Sequence, residues 1–561
     1  MASIASLRSR RSAAQLHALA GVEREIRAND PNGRRKYLQD FSQAFRSYLS
    51  VLDKARVAGL LEQADTVLVG DYHALPSSQK FAAELIERLG KTSERPLVVG
   101  LETVFARDQH ILDEWLAGDI GYKELRERIR FDLDWGYSWE PFYEVLQSAR
   151  AHGRTVYGLD CMPREDLRKI GARDRHAADK IREIRQKHSD CRIVIIFGES
   201  HLAPNHLPQL LAEKLPHERI LTVLQNVDAL YWMAAGESCD RVEAVQAAEN
   251  VICVFNSTPL EKYENYRLYL DRWSREGVGS PDLAPTMYNL IDGLLRFLGI
   301  QLYSPHNSTQ PKFLVDSLPE VCCRHSDSRL RRLLASKSVT EEERKKLTKQ
   351  VGERGSAYLP HANTIYVRDF QMVHAAEDAS RFLHHACRGL PLRGPATAFV
   401  SGEDAFYTHT LEYALAYFGS RVLYPARPAA REAELYELYD QTREDIEQST
   451  SFSFAEFIEI VDFLALHRGY ELNPDRYAEP PQPIQTGVQY QAEKLDYCAR
   501  QLGYMLGTDL YEAYLEGKVE PRFLKKLFLI HLEEPGIAAA TYFAVVKKIR
   551  YTKRPSMTTG R

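Results

Sequence analysis

Several apolar runs in the first half of the chain are each followed by glycine and then by an ionisable residue. Continuous runs of Val, Ile and Leu are typical of strands buried on both faces, as in parallel sheets. Glycine allows a sharp turn directly after such a strand, so that the polar residue lies at the strand's carboxyl end, where open α/β sheets bind ligands. The four runs are Val67-Leu-Val-Gly-Asp-Tyr-His73, Pro96-Leu-Val-Val-Gly-Leu-Glu102, Thr155-Val-Tyr-Gly-Leu-Asp160 and Ile193-Val-Ile-Ile-Phe-Gly-Glu-Ser-His201.

The alternation of apolar runs with amphipathic stretches predicts an α/β fold with a mostly parallel sheet and flanking helices. An apolar stripe at helical spacing predicts one helix over about 36–63, before the first run. The predicted strands are 66–69, 97–99, 155–157, 192–197, 219–224 and 251–255.

After the last of these strands the pattern becomes mainly helical. At 561 residues the chain is too long for one ordinary domain, and we predict several units. They are a flexible basic N-terminus (1–35), the α/β domain (36–275), a mainly α-helical C-terminal region (276–473), a Pro-rich linker (474–487) and a C-terminal helical segment (488–561).

The composition restricts which binding partners and which cellular compartment are expected for this chain. A net charge of -4 with 27% charged residues gives no global field for nucleic acid. The eight cysteines form neither a disulfide framework nor the CxxC pairs of a zinc site, which favours a reducing compartment. No apolar run is long enough to span a membrane, and residues 1–35 lack the apolar core of a secretion signal. We therefore predict a cytoplasmic location.

The four ionisable residues at the strand ends are candidates for one site. His73 and His201 could take and return a proton near neutral pH, with Glu102 or Asp160 orienting an imidazole. Nitrogen and oxygen donors of the same set could instead bind a divalent metal ion. Two further acidic groups that could extend the site each lie two residues before a histidine, and they are Asp71 and Glu199.

An aromatic-rich segment near these strands supplies further candidates for ligand binding. Arg130 could hold an anionic group, and Tyr72 or a histidine could ligate ferric haem. Nearby aromatic side chains could form the wall of a flat ligand, or could simply pack between helix and sheet. These aromatic residues are Trp135, Tyr137 and Trp139.

The order Gly-x-x-His, Gly-x-Glu and Gly-x-x-His on successive strands resembles the ChaN-like haem-binding domains. These domains belong to a wider superfamily with the Tiki proteases, TraB-like proteins and erythromycin esterases, and the resemblance covers about residues 60–260. It implies a ChaN-like α/β fold with one pocket lined by His73, Glu102 and His201. It also implies a haem or iron ligand if ChaN-like, a divalent metal if Tiki-like, or a water-activating histidine if esterase-like.

Three functions therefore remain open from the sequence. The first is a pocket that binds haem, iron or another metal, and the second is a hydrolase of the esterase or peptidase kind with His73 as general base. The third is a non-catalytic scaffold whose helical half binds a protein partner. Each of these readings involves either a small-molecule or metal ligand, or a partner of the C-terminal half.

Overall fold

The computed structural model divides the chain into two compact units, Val22–Gly277 and a second unit that combines Met1–Gly21 with Val278–Arg561. The boundary falls within a long first helix, α1 (Ile4–Asn29), where we expected a flexible N-terminus, so this prediction is wrong. The residues described are 4–30, 36–92, 94–162, 170–237, 242–275, 280–301, 318–323, 327–335, 339, 341–389, 402–437, 443–444, 446, 452–477 and 492–550.

The unit Val22–Gly277 is an α/β domain built on an eight-stranded sheet. Its strands are β1 (Ser50–Leu52), β2 (Thr66–Asp71), β3 (Leu97–Phe105), β4 (Thr155–Asp160), β5 (Arg192–Gly198), β6 (Ile220–Gln225), β7 (Ala244–Ala248) and β8 (Val251–Val254). Its further helices are α2 (Lys36–Ala44), α3 (Lys54–Gln63), α4 (Pro76–Thr92), α5 (Gln109–Ala117), α6 (Tyr122–Arg128), α7 (Phe131–Asp134), α8 (Trp139–His152), α9 (Ile170–Lys187), α10 (Leu207–Lys214), α11 (Asp228–Glu237) and α12 (Pro259–Ser274).

The strand order across the sheet is β1-β7-β8-β6-β2-β5-β3-β4. The six strands from β8 to β4 pair in parallel, whereas β7 pairs antiparallel with both β8 and β1. β5 lies between β2 and β3, which therefore do not pair with each other. The prediction of a mostly parallel sheet is confirmed, and all six predicted strands are present.

Burial on both faces explains why the apolar runs become strands. In β2, Val67 and Val69 pack into the hydrophobic layer on one face of the sheet, and Leu68 packs into the layer on the other. The central strand β5 repeats this pattern, with all seven of its residues buried. A continuous apolar run is needed where a strand has no solvent-facing side.

The single helix predicted over about 36–63 is wrong, because this stretch contains α2, β1 and α3 instead. Asp53 interrupts the helical pattern and caps α3, since its side chain accepts a hydrogen bond from the backbone of Arg56 at 2.7 Å. A short polar residue in this position satisfies one of the N–H groups that a helix start leaves without an intrahelical partner. The apolar spacing alone did not indicate this break.

The second unit is mainly helical, as predicted, but it also contains a three-stranded sheet that we did not predict. Its strands are β9 (Glu320–Cys323), β10 (Ser356–Leu359) and β11 (Thr364–Val367), in the order β10-β11-β9. Its helices after α1 are α13 (Ala284–Leu298), α14 (Asp327–Leu334), α15 (Glu341–Arg354), α16 (Met372–Cys387), α17 (Gly402–Leu423), α18 (Glu432–Glu437), α19 (Phe454–Leu472), α20 (Ala492–Leu515), α21 (Pro521–Leu529) and α22 (Ile537–Arg550).

The described residues test two further sequence predictions only in part. Of the predicted linker, Pro474–Arg476 forms a short 3-10 helix, and residues 478–487 lie outside the described residues. None of the described helices combines the length and apolar character needed to cross a membrane. The cytoplasmic location stays a prediction.

Candidate functional site

The four strands that carry the candidate residues are neighbours in the sheet, so their carboxyl ends lie side by side. His73 follows β2, His201 follows β5, and Asp160 is the last residue of β4. Glu102 lies within β3 at the point where its pairing with β4 becomes irregular. We call these four residues the strand-end cluster.

Glu102 lies at the centre of the strand-end cluster. Its Oε2 accepts a hydrogen bond from the backbone N–H of Gly198 at 2.5 Å and is 3.8 Å from His73 Nε2. Its Oε1 is 3.7 Å from His201 Nε2. One buried carboxylate therefore lies between two imidazoles, and each imidazole turns the same ring nitrogen toward it.

Gly198 allows these side chains to approach strand β5. A Cβ atom at this position would lie 3.1 Å from Glu102 Oε2 and 3.2 Å from His73 Nε2. Both distances are tighter than ordinary van der Waals contact, so any larger residue would displace one of the two groups. This accounts for the glycine that the second Gly-x-x-His sequence places at the end of β5.

Arg173, on α9, joins the two carboxylates of the strand-end cluster. It donates from Nε and Nη2 to Asp160 at 2.8 and 3.0 Å, and from Nη2 to Glu102 at 2.5 Å. Burial alone would raise the pKa of Glu102, but the charge of Arg173, with smaller contributions from both histidines, lowers it to about 2. Glu102 is therefore ionised across the physiological range.

An aspartate anchors each histidine from the side opposite Glu102. Asp71 accepts from His73 Nδ1 at 2.6 Å, and Asp174 accepts from His201 Nδ1 at 2.5 Å. A carboxylate at Nδ1 fixes the orientation of the ring and favours the tautomer in which Nε2 accepts a proton or binds a ligand. The two aspartates and three members of the cluster thus form a chain of the form Asp–His–Glu–His–Asp, which runs Asp71, His73, Glu102, His201, Asp174.

The sequence analysis did not single out Arg173 and Asp174, which lie in α9. Both are buried in the structure. The signal was present, because they lie one helical turn from apolar positions of the same helix face. The buried apolar residues of that face are Ile170, Ala177, Ala178, Ile181 and Ile184.

The predicted aromatic residues separate into two groups. Trp135 and Tyr137 lie against the ring of His73, with centroid distances of 4.5 and 5.5 Å. Trp139 instead stacks on Tyr143 at 5.3 Å and is part of the hydrophobic layer. The first two thus form an aromatic wall beside the cluster, and the third is a packing residue.

Arg130 is not brought to the strand-end cluster. Its backbone adopts the left-handed conformation, with φ of 54°, and its exposed side chain lies 3.6 Å from Asp134. Its position before the aromatic segment therefore reflects the turn into α7. The Arg130 guanidinium group therefore does not face the predicted pocket.

Tyr72 and Glu199 contact Lys262 rather than the histidines. Lys262 Nζ lies 2.9 Å from Glu199 Oε1 and 4.6 Å from the centroid of the Tyr72 ring. Burial raises the pKa of Glu199 despite this contact, whereas the pKa of Lys262 is raised by both Glu199 and Asp228, which outweigh its own burial. Burial also raises the pKa of Tyr72 well above its usual range, so its phenol stays protonated.

The strand-end cluster also contains the three predicted metal ligands, His73, Glu102 and His201. Among the described residues, no group of three or more His, Cys, Asp or Glu side chains is arranged to hold a metal ion. Glu102 instead directs its oxygens to Arg173 and to a backbone N–H. The assignment of His73, Glu102 and His201 as metal ligands stays a prediction that this arrangement does not favour.

Comparisons with known proteins agree with the resemblance found in the sequence. Residues 57–186 match the family model described as "Haem-binding uptake, Tiki superfamily, ChaN". A solved structure described as "Cofacial heme binding to ChaN of Campylobacter jejuni" is similar over 32% of this chain and 91% of that chain, with 15% identity and a TM-score of 0.25. No curated protein matches the chain. Residues 57–186 of this protein are thus similar to the ChaN domains of the Tiki superfamily.

Proposed function

We propose that the ChaN-like domain binds a haem-type ligand beside His73. One observation carries this proposal: His73 is the member of the strand-end cluster that solvent reaches. Its side chain is 23% exposed, against 4% for both Glu102 and His201. Since Trp135 and Tyr137 flank the exposed ring, a flat ligand placed there would meet aromatic faces as well as an imidazole.

At this exposed site, His73 fits the role of a haem ligand and the neighbouring Tyr72 does not. An imidazole held at Nδ1 by a carboxylate is oriented as metal-ligating histidines usually are, and histidine is a common axial ligand of haem iron. Tyr72 does not fit the role of a phenolate ligand, because its pKa is raised and its ring lies under Lys262. His73 would therefore hold the haem, whose iron would supply a centre for redox or oxygen chemistry.

The family match supports haem as the class of ligand. The matching family model describes haem-binding uptake proteins, and its range of 57–186 includes β2 with His73, the aromatic wall and Glu102. His201 lies beyond this range. The haem proposal therefore depends on His73 and its surroundings, and His201 contributes only as the second imidazole near Glu102, at 3.7 Å.

The test is titration of the purified full-length protein with haemin, followed in the Soret region. We expect a saturable shift that is lost in His73→Ala and retained in His110→Ala, which removes an exposed histidine of α5 in the same unit. A shift of equal size in the wild type and in His73→Ala would refute the assignment. The absence of any saturable shift in the wild type would refute haem binding itself.

A second candidate function is proton transfer for hydrolysis, favoured by the Asp–His–Glu–His–Asp chain. In this reading His73 Nε2 takes a proton from water while the water oxygen bonds to a substrate carbonyl carbon. The same proton then passes to the leaving group as its bond to that carbon breaks. Glu102, which is ionised, stabilises the protonated imidazole, and Asp71 holds the ring in place.

Hydrolysis is tested with p-nitrophenyl esters and a fluorogenic peptide, each with EDTA and with added Zn²⁺ or Mn²⁺. We expect a rate above that of buffer in the wild type and in His110→Ala, and its loss in His73→Ala. A wild-type rate equal to buffer under all conditions would refute this candidate while leaving the haem titration untouched. A rate that needs added metal would support the metal assignment of the same residues.

A further inference from the structure

The aromatic wall beside His73 is formed by the turn that joins α7 to α8. Trp135 follows α7 and Ser138 precedes α8, with Gly136 and Tyr137 between them. Gly136 adopts the left-handed conformation, with φ of 77°. Because loops are the more mobile parts of a fold, the position of the Tyr137 ring depends on what holds this turn.

Two side chains of α12 hold this turn by hydrogen bonds. The Tyr269 hydroxyl accepts from the backbone N–H of Ser138 at 3.1 Å and donates to Ser138 Oγ at 2.8 Å. The Trp273 indole N–H donates to the Gly136 carbonyl at 3.0 Å. Gly136 and Ser138 are the residues on either side of Tyr137. Three hydrogen bonds from α12 therefore hold the backbone that carries the Tyr137 ring.

The same two side chains also pack against the Tyr137 ring. The ring centroids lie 5.1 Å apart for Tyr269 and 5.4 Å apart for Trp273, both edge-to-face. Such contacts between aromatic rings are favourable. The ring of Tyr137 in turn lies 5.5 Å from that of His73. Ring contacts therefore run from α12 through Tyr137 to the imidazole.

The Trp135 half of the wall is held differently. Its ring lies 5.3 Å from that of Phe142, and both residues belong to the hydrophobic layer on one face of the sheet. The hydrogen bonds from α12 instead go to the two residues that flank Tyr137. Helix α12 therefore positions one half of the wall, and packing in the core positions the other.

We propose that Tyr269 and Trp273 are positioning residues for the ligand of His73, because they hold Tyr137 against the imidazole. This role rests on the proposed function, since it assumes that a ligand lies beside His73. It extends the site to α12, which lies beyond the residues 57–186 that match the ChaN family model. Without these contacts, ligand affinity should fall while small reagents reach the imidazole more easily. General unfolding would instead expose the buried histidines as well.

The variant Tyr269→Phe removes both hydrogen bonds to Ser138 and keeps an aromatic ring against Tyr137. Its matched control is Tyr263→Phe on the same helix, because the Tyr263 hydroxyl donates to Asp228 and not to the turn. In the haemin titration of the full-length protein, we expect Tyr269→Phe to bind about tenfold more weakly and Tyr263→Phe to bind like the wild type. An affinity of Tyr269→Phe equal to that of the wild type, or equal losses in both variants, would overturn the proposal.

The variant Ser138→Ala tests whether the Tyr269 hydroxyl acts through the turn. It removes Oγ and keeps the backbone N–H, so we expect a smaller loss of haemin affinity than in Tyr269→Phe. The double variant should bind within about twofold of Tyr269→Phe alone, because both changes remove the same side-chain hydrogen bond. Losses that add in the double variant would overturn the assignment of this contact.

A measurement on the ligand-free protein separates this role from folding. Histidines are labelled with diethyl pyrocarbonate, and the labelled positions are located by mass spectrometry. We expect His73 to react about threefold or more faster in Tyr269→Phe than in the wild type. Exposed His110 should react at the same rate in both proteins, and buried His201 should stay protected. An unchanged rate at His73 would overturn the proposal.

The variant Trp273→Phe decides if Tyr269→Phe loses its fold, which faster labelling of His201 would reveal. It removes the hydrogen bond to the Gly136 carbonyl and keeps an aromatic ring. We expect faster labelling of His73 in this variant as well, and a wild-type rate there would overturn the proposal. A wild type that binds no haemin would refute the proposed function, whereas the labelling rates would still decide whether α12 holds the wall.

Discussion

Replacing Arg173 by Met should strongly destabilise the α/β unit. The guanidinium makes three hydrogen bonds, two to Asp160 and one to Glu102, and all three side chains are at most 4% exposed. Met is of similar length but cannot donate, so the variant would leave two carboxylates buried without their cation. The cost comes from these desolvated charges more than from the lost contacts.

The expected loss in the free energy of unfolding at neutral pH is about 3–5 kcal/mol, the usual cost of removing one partner of a buried ion pair. The lowered pKa of Glu102, to which both histidines and the Gly198 N–H also contribute, gives a figure of the same order. A fall from 4.5 to about 2 corresponds to about 3 kcal/mol of preferential stabilisation of the charged form. The control is Arg126→Met, which breaks a more exposed ion pair with Asp132 and should cost about 0–1 kcal/mol.

The assay is urea unfolding followed by tryptophan fluorescence, which reports on this unit alone. All five tryptophans of the sequence fall in Val22–Gly277, namely Trp115, Trp135, Trp139, Trp232 and Trp273. The midpoint and slope of the transition then give the free energy of unfolding for each variant.

The pH dependence provides a second check, with a defined sign. In the wild type the folded pKa of Glu102 lies below its ordinary 4.5, so its stabilisation is complete above pH 4.5 and is lost as the pH falls toward 2. Without Arg173, burial raises this pKa, and protonation then relieves the buried charge. The gap between wild type and Arg173→Met should therefore be largest at neutral pH, narrow first as Glu102 is protonated in the variant, and narrow further below pH 4.5 as the wild type loses its stabilisation. A loss no greater than that of Arg126→Met, or a gap that widens in acid, would refute the reasoning.

Three further outcomes are expected. Gly198→Ala should lower the free energy of unfolding by about 1–3 kcal/mol in the same assay, because the added Cβ would crowd the Glu102 carboxylate. Its control is Gly59→Ala in α3, where no atom lies within 4 Å of the added Cβ, and this change should raise the free energy of unfolding by about 0.5–1 kcal/mol. Asp174→Asn should cost about 1–3 kcal/mol by urea unfolding, because its two carboxylate oxygens each accept from a different imidazole and Asn would replace one of them by an NH2 donor. The exposed Asp179→Asn serves as control. Asp71→Asn should weaken haemin binding by about tenfold without removing the His73 imidazole, and an unchanged titration would contradict that orienting role.

The six parallel strands of the α/β sheet could be predicted from sequence because they are buried on both faces. Such strands need continuous apolar runs, and few other local structures do. The antiparallel edge strand β1 could not be found in this way. It has only three residues, of which only Leu52 is buried, so its sequence carries almost no periodic signal. Its pairing with β7 depends on a segment almost 200 residues away in the chain.

The candidate site was predictable only as far as its residues stand at strand ends. His73, Glu102, Asp160 and His201 do converge, because adjacent parallel strands end at the same edge. Arg173 and Asp174 come from α9, where helical spacing places them on the buried face but does not indicate which residues of that face reach the sheet edge. Arg130 is the opposite case: the sequence made it a candidate because it lies beside aromatic residues, but its side chain is exposed at a turn and does not reach the site.

The position of β5 has a consequence for how this domain is made. The segment that matches the ChaN family model ends at residue 186, before β5 begins at Arg192. A chain that ended there would contain β2 and β3 but not the strand that lies between them. The backbone groups on the facing edges of β2 and β3 would then have no partners. Such a chain would also lack the Gly198 N–H that binds Glu102. We therefore expect a segment that ends at residue 186 not to fold by itself, because β5 must be present before the sheet can form around its site.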